Sequence, residues 1–387
     1  MSRAPSDGTL SAFARPERVL ATLGSAGRGP TLIVVGGLHG NEPAGWEASR
    51  RVAADLVDRE ADLEGRVVFL TGNRTALARG CRFVDRDLNR AWTDHTIARL
   101  RRTGPGNAVE DDEQAELLDT IEAILADAGG RAWLLDLHTT SGTGGAFSVV
   151  SDTLPARELA LRLPVPLVLG LEEMVDGTLH DWMQGSGVVT VVFEAGQHAE
   201  AEAVDRAEAA IWLLIEAVGL LHPTRLSEAA DARKRLARHS RGLPTALEMR
   251  YRHPVRPGDE FVMAEGWVNF GRVRKDTILA EDARGVVRAP ESGRILMPLY
   301  QAQGSDGFFV VREFSPFWLW LSEVMRRVGL ASVAHLLPGI RRHPARPGVY
   351  VVNRRVARWY ALQVMHLLGF RRVREEGDVL VVERREA

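Results

Sequence analysis

Residues 31–222 alternate short, unbroken apolar runs with longer stretches in which apolar residues recur at helical spacing. The runs Thr31–Val35, Arg66–Thr71, Ala132–Leu137, Ala146–Val150, Pro166–Leu169 and Val188–Phe193 predict strands. They are rich in Val and Leu with little polar alternation, the pattern of strands covered on both faces. Gly45–Asp58, Asp111–Ala128, Pro155–Leu163 and Ala199–Leu221 predict helices. The alternation predicts an α/β domain over residues 1–225, layered on a mostly parallel sheet. From Thr245 to Glu313 the texture changes to short apolar runs with turn signals "RPGDE", "EDARG" and "APESG", which predicts a small β domain over 245–313. Residues 314–387 change again. "FSPFWLWLSEVMRRVGLASVAHLLPG" is helix-like, and the remainder predicts a strand, an amphipathic helix and a hairpin turning at "EEGD". This is an α+β extension.

Composition narrows the function classes. With 45% hydrophobic and 26% charged residues the chain is an ordinary globular one. A net charge of −2 gives no reason to expect nucleic acid. The single cysteine, Cys81, rules out an internal disulfide and fits a reducing cytoplasm. The first residues lack the apolar core of a signal peptide, and no apolar run reaches the roughly 18 residues that span a bilayer. The cationic residues are almost all Arg, with Lys only at 234 and 275, which reads as genome composition bias.

Four stretches carry chemistry. In "TLIVVGGLHGNEPAG" a buried run ends in two glycines, and His39 and Glu42 follow at i and i+3, on one side of a turn. Pro43 suits a helix start. Alone, the stretch reads equally as a capping Asn with an incidental His. "WLLDLHTTSG" is a second run ending in a histidine, His138, and Asp136 two residues earlier shares its face. That carboxylate can accept the imidazole's other N–H and fix its tautomer. Two His and one Glu leave a fourth zinc position open, the arrangement of catalytic zinc. In "GVVTVVFEAGQH" Glu194 closes a third buried run, where a carboxylate could move a proton between water and a leaving amine; its bland reading is a helix cap. "GNRTALARGCRFVDRDLNRAW" is a long polar loop in which Arg82 and Arg90 are fixed charges able to grip carboxylates or polarise a carbonyl. In a chain so rich in Arg, a surface role is the plain alternative.

Taken together, "HGNE", "CRFVDRDLNR", "DLH" and "FEAG", in this order and at strand ends, resemble the succinylglutamate desuccinylase/aspartoacylase family, relatives of the zinc carboxypeptidases. The likeness extends over roughly residues 30–310, because "GVVRAPESGRILMP" resembles that family's C-terminal β domain. The resemblance implies a phosphorylase/hydrolase-like α/β core of zinc-carboxypeptidase type with an appended β domain. It implies one Zn²⁺ per chain held by His39, Glu42 and His138, with Glu194 as general base and acid. Arg82 would polarise the scissile carbonyl, and Asn89 and Arg90 would bind a substrate carboxylate. The implied reaction is amide hydrolysis of an N-acylated amino acid or similar acyl-amine.

The sequence also departs from that pattern. Family deacylases carry another Arg and a Tyr that select acidic substrates. Here "GLEEMVDGTLHDWMQGS" offers Glu172, Glu173 and Asp176 instead, which in the pocket would favour a substrate with a cationic part and on the surface would be a solvated helix start. Tyr300 is the nearest aromatic candidate from the β domain. The segment 313–387 holds 13 Arg against 7 acids. Its aromatic helix fits either a membrane surface or, more commonly, packing on a neighbouring domain, without stable membrane insertion. A homo-oligomer stays open. The rival readings are a metallocarboxypeptidase, an esterase on small substrates, and a scaffold that keeps the fold without catalysis.

Overall fold

The structure, a computed structural model, describes residues 15–129, 131–346, 349–353, 356, 361–376 and 379–384. The N-terminal stretch read for a leader and the hairpin turn at Gly377 and Asp378 fall outside them. The centre is an eleven-stranded sheet. From edge to edge its strands are Val19–Gly24, Arg66–Thr71, Thr31–Gly36, Ala132–Thr140, Val189–Gln197, Phe147–Val150, Leu167–Leu169, Ala246–Pro254, Asp306–Glu313, Gly293–Leu296 and Arg272–Val273. The six predicted strands lie at their predicted places, and the four predicted helices appear as Ala44–Val57, Val109–Asp127, Leu154–Ala160 and Ala201–Ala217.

Burial on both faces explains the unbroken apolar runs. Leu32, Val34, Val67, Phe69, Leu135 and Leu137 point to one face and pack with Ala48, Val52, Ile211 and Leu214 of the helices there. Ile33, Val35, Val68, Leu70 and Leu134 point to the other and pack on Leu117, Leu118, Ile121 and Met183. Successive residues of one strand thus enter opposite cores, so most of its positions are apolar.

The expectation of a mostly parallel sheet needs correction: the sheet is mixed. Parallel ladders join Thr31–Gly36 to both its neighbours and Ala132–Thr140 to Val189–Gln197. Phe147–Val150 runs antiparallel to Val189–Gln197, and all ladders beyond Ala246–Pro254 are antiparallel. Gly293–Leu296 and Asp306–Glu313 are joined by a loop too short for a parallel crossover, so they pair as a hairpin. Ala246–Pro254 itself pairs in parallel with Leu167–Leu169, so strands from 246–313 prolong the central sheet. Only Val262–Met263, Ile278–Asp282 and Gly285–Arg288 form a separate three-stranded sheet. Ile340–Arg342, Val349–Asn353, Val379–Arg384 and Phe370–Glu376 make a four-stranded antiparallel sheet in the C-terminal extension.

The aromatic helix Pro316–Arg327 turns two polar residues inward. Ser322 and Arg326 are buried, whereas Phe317, Trp318 and Trp320 are exposed and touch one another. No helix among the described residues is long and apolar enough to cross a membrane.

Candidate metal centre

The turn after Thr31–Gly36 is built on close approaches. Gly37 takes φ +71°, and a side chain at Gly40 would collide with the backbone of Ala76. Within it the Glu42 N–H donates to the His39 carbonyl at 3.2 Å, so His39 and Glu42 emerge together before the helix Ala44–Val57. His138 and Asp136 come from the adjacent parallel strand, and Glu194 lies directly across from His138 on the next one. All these groups gather at the carboxyl ends of parallel strands, where open α/β sheets place their ligands.

Glu42 is the hub. Its Oε1 lies 2.9 Å from His39 Nδ1, and its Oε2 lies 3.1 Å from His138 Nδ1. Oε2 also accepts the Thr139 N–H at 2.9 Å. The potential ligand atoms of His39, Glu42 and His138 all fall within 4.8 Å of one another, and all three residues are buried. Each imidazole has a carboxylate behind it. His39 Nε2 is 3.1 Å from Asp87 Oδ1, and His138 Nε2 is 3.1 Å from Asp136 Oδ2, the latter off the line of a good hydrogen bond. With each Nε2–H turned to its carboxylate, both Nδ1 lone pairs face the carboxylate of Glu42. Lone pairs converging on an anion in a buried site need a proton or a cation between them, so the donor set fits a metal ion.

Electrostatics points the same way. Burial would raise the Glu42 pKa, but His39 and His138 outweigh it and hold the carboxyl well below its ordinary range. Burial opposes charge on His138, yet Asp136 and Glu42 keep its pKa well above the usual imidazole value. Asp87, against burial, is held far below the carboxylate range by His39 and Arg82. Glu194 behaves in the opposite way: burial pushes its pKa up to about 8, and its Oε2 finds no hydrogen-bond partner among the described residues.

The loop carrying Arg82, Asn89 and Arg90 is shaped by a residue the sequence reading passed over. The fully buried Glu110 carboxylate accepts the N–H groups of Val84, Asp85 and Arg86, and the side-chain amide of Asn73. Arg82 is thereby set with its Nη1 3.3 Å from Glu42 Oε1 and its Nη2 3.2 Å from Asp87 Oδ2. Asn89 uses its Oδ1 to accept the Leu179 N–H at 2.9 Å, which leaves its amide N–H groups for a ligand. Arg90 is engaged by Asp306 at 2.6 Å, and Arg252 grips the same carboxylate from the other side.

One pocket contains His39, Glu42, Arg82, Asn89, Arg90, His138 and Glu194 in its lining. Asp136 lies behind His138. Glu172 lines the pocket; Glu173 and Asp176 are not among the lining residues. Nor is Tyr300, whose hydroxyl donates to the Ala264 carbonyl while its neighbours Leu299 and Gln301 reach the pocket. His198, unassigned from sequence although it ends "FEAGQH", also lines it. Its Nε2 and the Asn41 amide both donate to Gln301 Oε1, at 3.1 and 2.8 Å, so its Nδ1 accepts the Thr139 hydroxyl at 2.7 Å. Asp87 was legible only as part of "DLNR".

Residues 28–215 match the family model described as the succinylglutamate desuccinylase/aspartoacylase catalytic domain. The succinylglutamate desuccinylase of Pseudomonas paraeruginosa is 33% identical over 135 residues, 34% of this chain and 38% of that protein. A probable aspartoacylase of Synechococcus is 35% identical over 144 residues, 36% of this chain and 43% of that protein. The matched stretch therefore spans less than half the length of these relatives. A solved succinylglutamate desuccinylase/aspartoacylase from Rhodobacter sphaeroides shares the fold, with a TM-score of 0.54 at 18% identity over 76% of this chain and 88% of that one.

Proposed function

The chain belongs, through residues 28–215, to the succinylglutamate desuccinylase/aspartoacylase family, and from that premise we propose that it is a zinc-dependent hydrolase of N-acylated amino acids or similar acyl-amines. The observation that carries this reading is the buried His39–Glu42–His138 cluster in one pocket with Glu194. His39 Nδ1, Glu42 and His138 Nδ1 would hold the ion, and Asp87 and Asp136 would fix the two imidazole tautomers. Zinc at that place supplies a Lewis acid for the scissile carbonyl and for a water molecule.

The remaining work falls to the chain's own side chains. Glu194 takes a proton from water as its oxygen attacks the amide carbon. It then gives that proton to the nitrogen as the C–N bond breaks, leaving an acid and an amine. A carboxyl whose pKa is pushed up to about 8 by burial, and which a nearby dication would draw down again, sits close to neutrality, where one group serves both steps. Arg82 presents fixed positive charge beside the cluster, where the oxyanion develops. Asn89 and Arg90 would receive a substrate carboxylate, and for Arg90 that means competing with Asp306.

The test combines metal analysis of the purified protein with a panel of N-acyl amino acids and peptides. Stoichiometric zinc and turnover of acyl-amino acids support the reading. Turnover of peptides alone would replace it with a carboxypeptidase, and zinc without any hydrolysis would replace it with a scaffold.

A further inference from the structure

The C-terminal extension lies beyond the family match, yet Arg326 and His366 reach residues around the turn that walls the pocket. In the helix Pro316–Arg327 the Arg326 side chain is 0% exposed and meets Asp152, also 0% exposed. Its Nη1 lies 3.0 Å from Asp152 Oδ1, and its Nη2 donates to the Asp152 carbonyl at 2.7 Å. Asp152 in turn gives its backbone N–H to Glu172 Oε1 at 3.1 Å, and Glu172 lines the pocket. Arg326 therefore stands two contacts from the Glu172 carboxylate in the pocket wall.

A second tether arrives from the helix Ala361–Leu367 of the extension. His366 lies 3.1 Å from Glu248 in the central sheet and 3.5 Å from Glu173, the neighbour of Glu172 in the turn Leu171–Glu173. Burial opposes a charge on this imidazole, but the two carboxylates raise its pKa to about 9, so at neutral pH it is a cation between two anions. Ser322 joins the tethers, since it accepts from Arg157 at 3.1 Å and donates to the Leu367 carbonyl at 2.7 Å. At Gly369, with φ +84°, a side chain would strike the Arg326 guanidinium, so the backbone there leaves the arginine its path.

Buried ion pairs of this kind contribute little net stability compared with apolar packing. The helix adds these polar contacts to the packing of Leu319 on the core, while Phe317, Trp318 and Trp320 stay exposed. We propose that the C-terminal extension positions one wall of the pocket, with Arg326 and His366 as positioning residues that fix the turn 171–173 and the Glu172 carboxylate for substrate binding. This rests on the pocket being the substrate site of the deacylase proposed above.

The experiment compares the full-length zinc-loaded protein with Arg326→Ala, Arg326→Lys and His366→Gln. Arg327→Ala is the control, because it breaks the exposed pair of the same helix with Glu158. Two readouts are taken: kcat and KM on the best acyl-amine of a panel, and backbone hydrogen exchange. The expected result for Arg326→Ala and His366→Gln is a KM raised about tenfold with kcat changed much less. Exchange should quicken at 150–153 and 170–174, Arg326→Lys should recover part of both effects, and Arg327→Ala should change neither. Faster exchange confined to 316–384, with KM unchanged, would overturn the proposal. So would equal effects of Arg327→Ala. Should Arg326→Ala fail to fold, His366→Gln, at the edge of the contact, decides alone. Exchange does not depend on turnover, so a wild-type protein inactive on every acyl-amine would remove the deacylase reading while the exchange arm still supports or overturns the positioning role.

Discussion

Glu194 and Glu110 are both buried carboxylates, and their surroundings give them opposite tasks. Glu194 has an oxygen without a hydrogen-bond partner among the described residues and a pKa pushed up to about 8 by burial. Replacing it with Gln keeps the shape and removes the proposed proton carrier. We expect kcat to fall by roughly 10²–10⁴-fold with KM and bound zinc nearly unchanged, measured by steady-state kinetics and metal analysis. Glu110 is saturated by four donors. Glu110→Ala leaves those donors without an acceptor and should cost about 2–4 kcal/mol in denaturant unfolding, more than a surface Glu→Ala on the same helix. Because those donors shape the loop that holds Arg82 and Asp87, kcat should fall as well. His39, Glu42, His138 and Glu194 could be read from sequence because each ends an apolar run. Asp306, 216 positions from the Arg90 it engages, could not, since nothing local signals so distant a partner.

At the level of elements, the apolar pattern located strands and helices of the first 222 residues because both sheet faces are buried. The pattern served less well where burial is one-sided or polar. Val19–Gly24 is an edge strand with only Leu23 buried, and Asp94–Thr103 and Ser227–His239 are mostly polar helices. The helix Pro316–Arg327 has an aromatic stripe that local amphipathicity would turn inward, but Asp152 and Arg157 draw Arg326 and Ser322 inward instead. The docking of the extension should depend on pH through His366. Its pKa is raised on folding, so its contribution is fully present below the ordinary imidazole value near 6.5 and is lost as pH rises through about 9. Hydrogen exchange of residues 361–370 between pH 6.5 and 10, corrected for intrinsic rates, should show protection falling across that window. In His366→Gln the fall should be absent.

For the whole molecule, the sheet connects the proposed metal ligands to the wall of the candidate pocket without a break. Thr31–Gly36, Ala132–Thr140 and Val189–Gln197 bring His39, Glu42, His138 and Glu194 together, and the same sheet continues through Ala246–Pro254 to Asp306–Glu313, where Asp306 meets Arg90. A metal bound to ligands from separate strands binds the folded chain and not the unfolded one. Chelation should therefore lower the melting temperature and zinc should restore it, with about 2.7 kcal/mol of stabilisation at a free zinc concentration 100 times Kd.

The most direct test of the central claim is the zinc content and acyl-amine hydrolysis of one preparation, measured for wild type, His138→Ala and Glu194→Gln together. The account predicts one zinc and turnover in the wild type, neither in His138→Ala, and one zinc with turnover reduced by roughly 10²-fold or more in Glu194→Gln. Full hydrolysis by a zinc-free protein, or by Glu194→Gln, would contradict it.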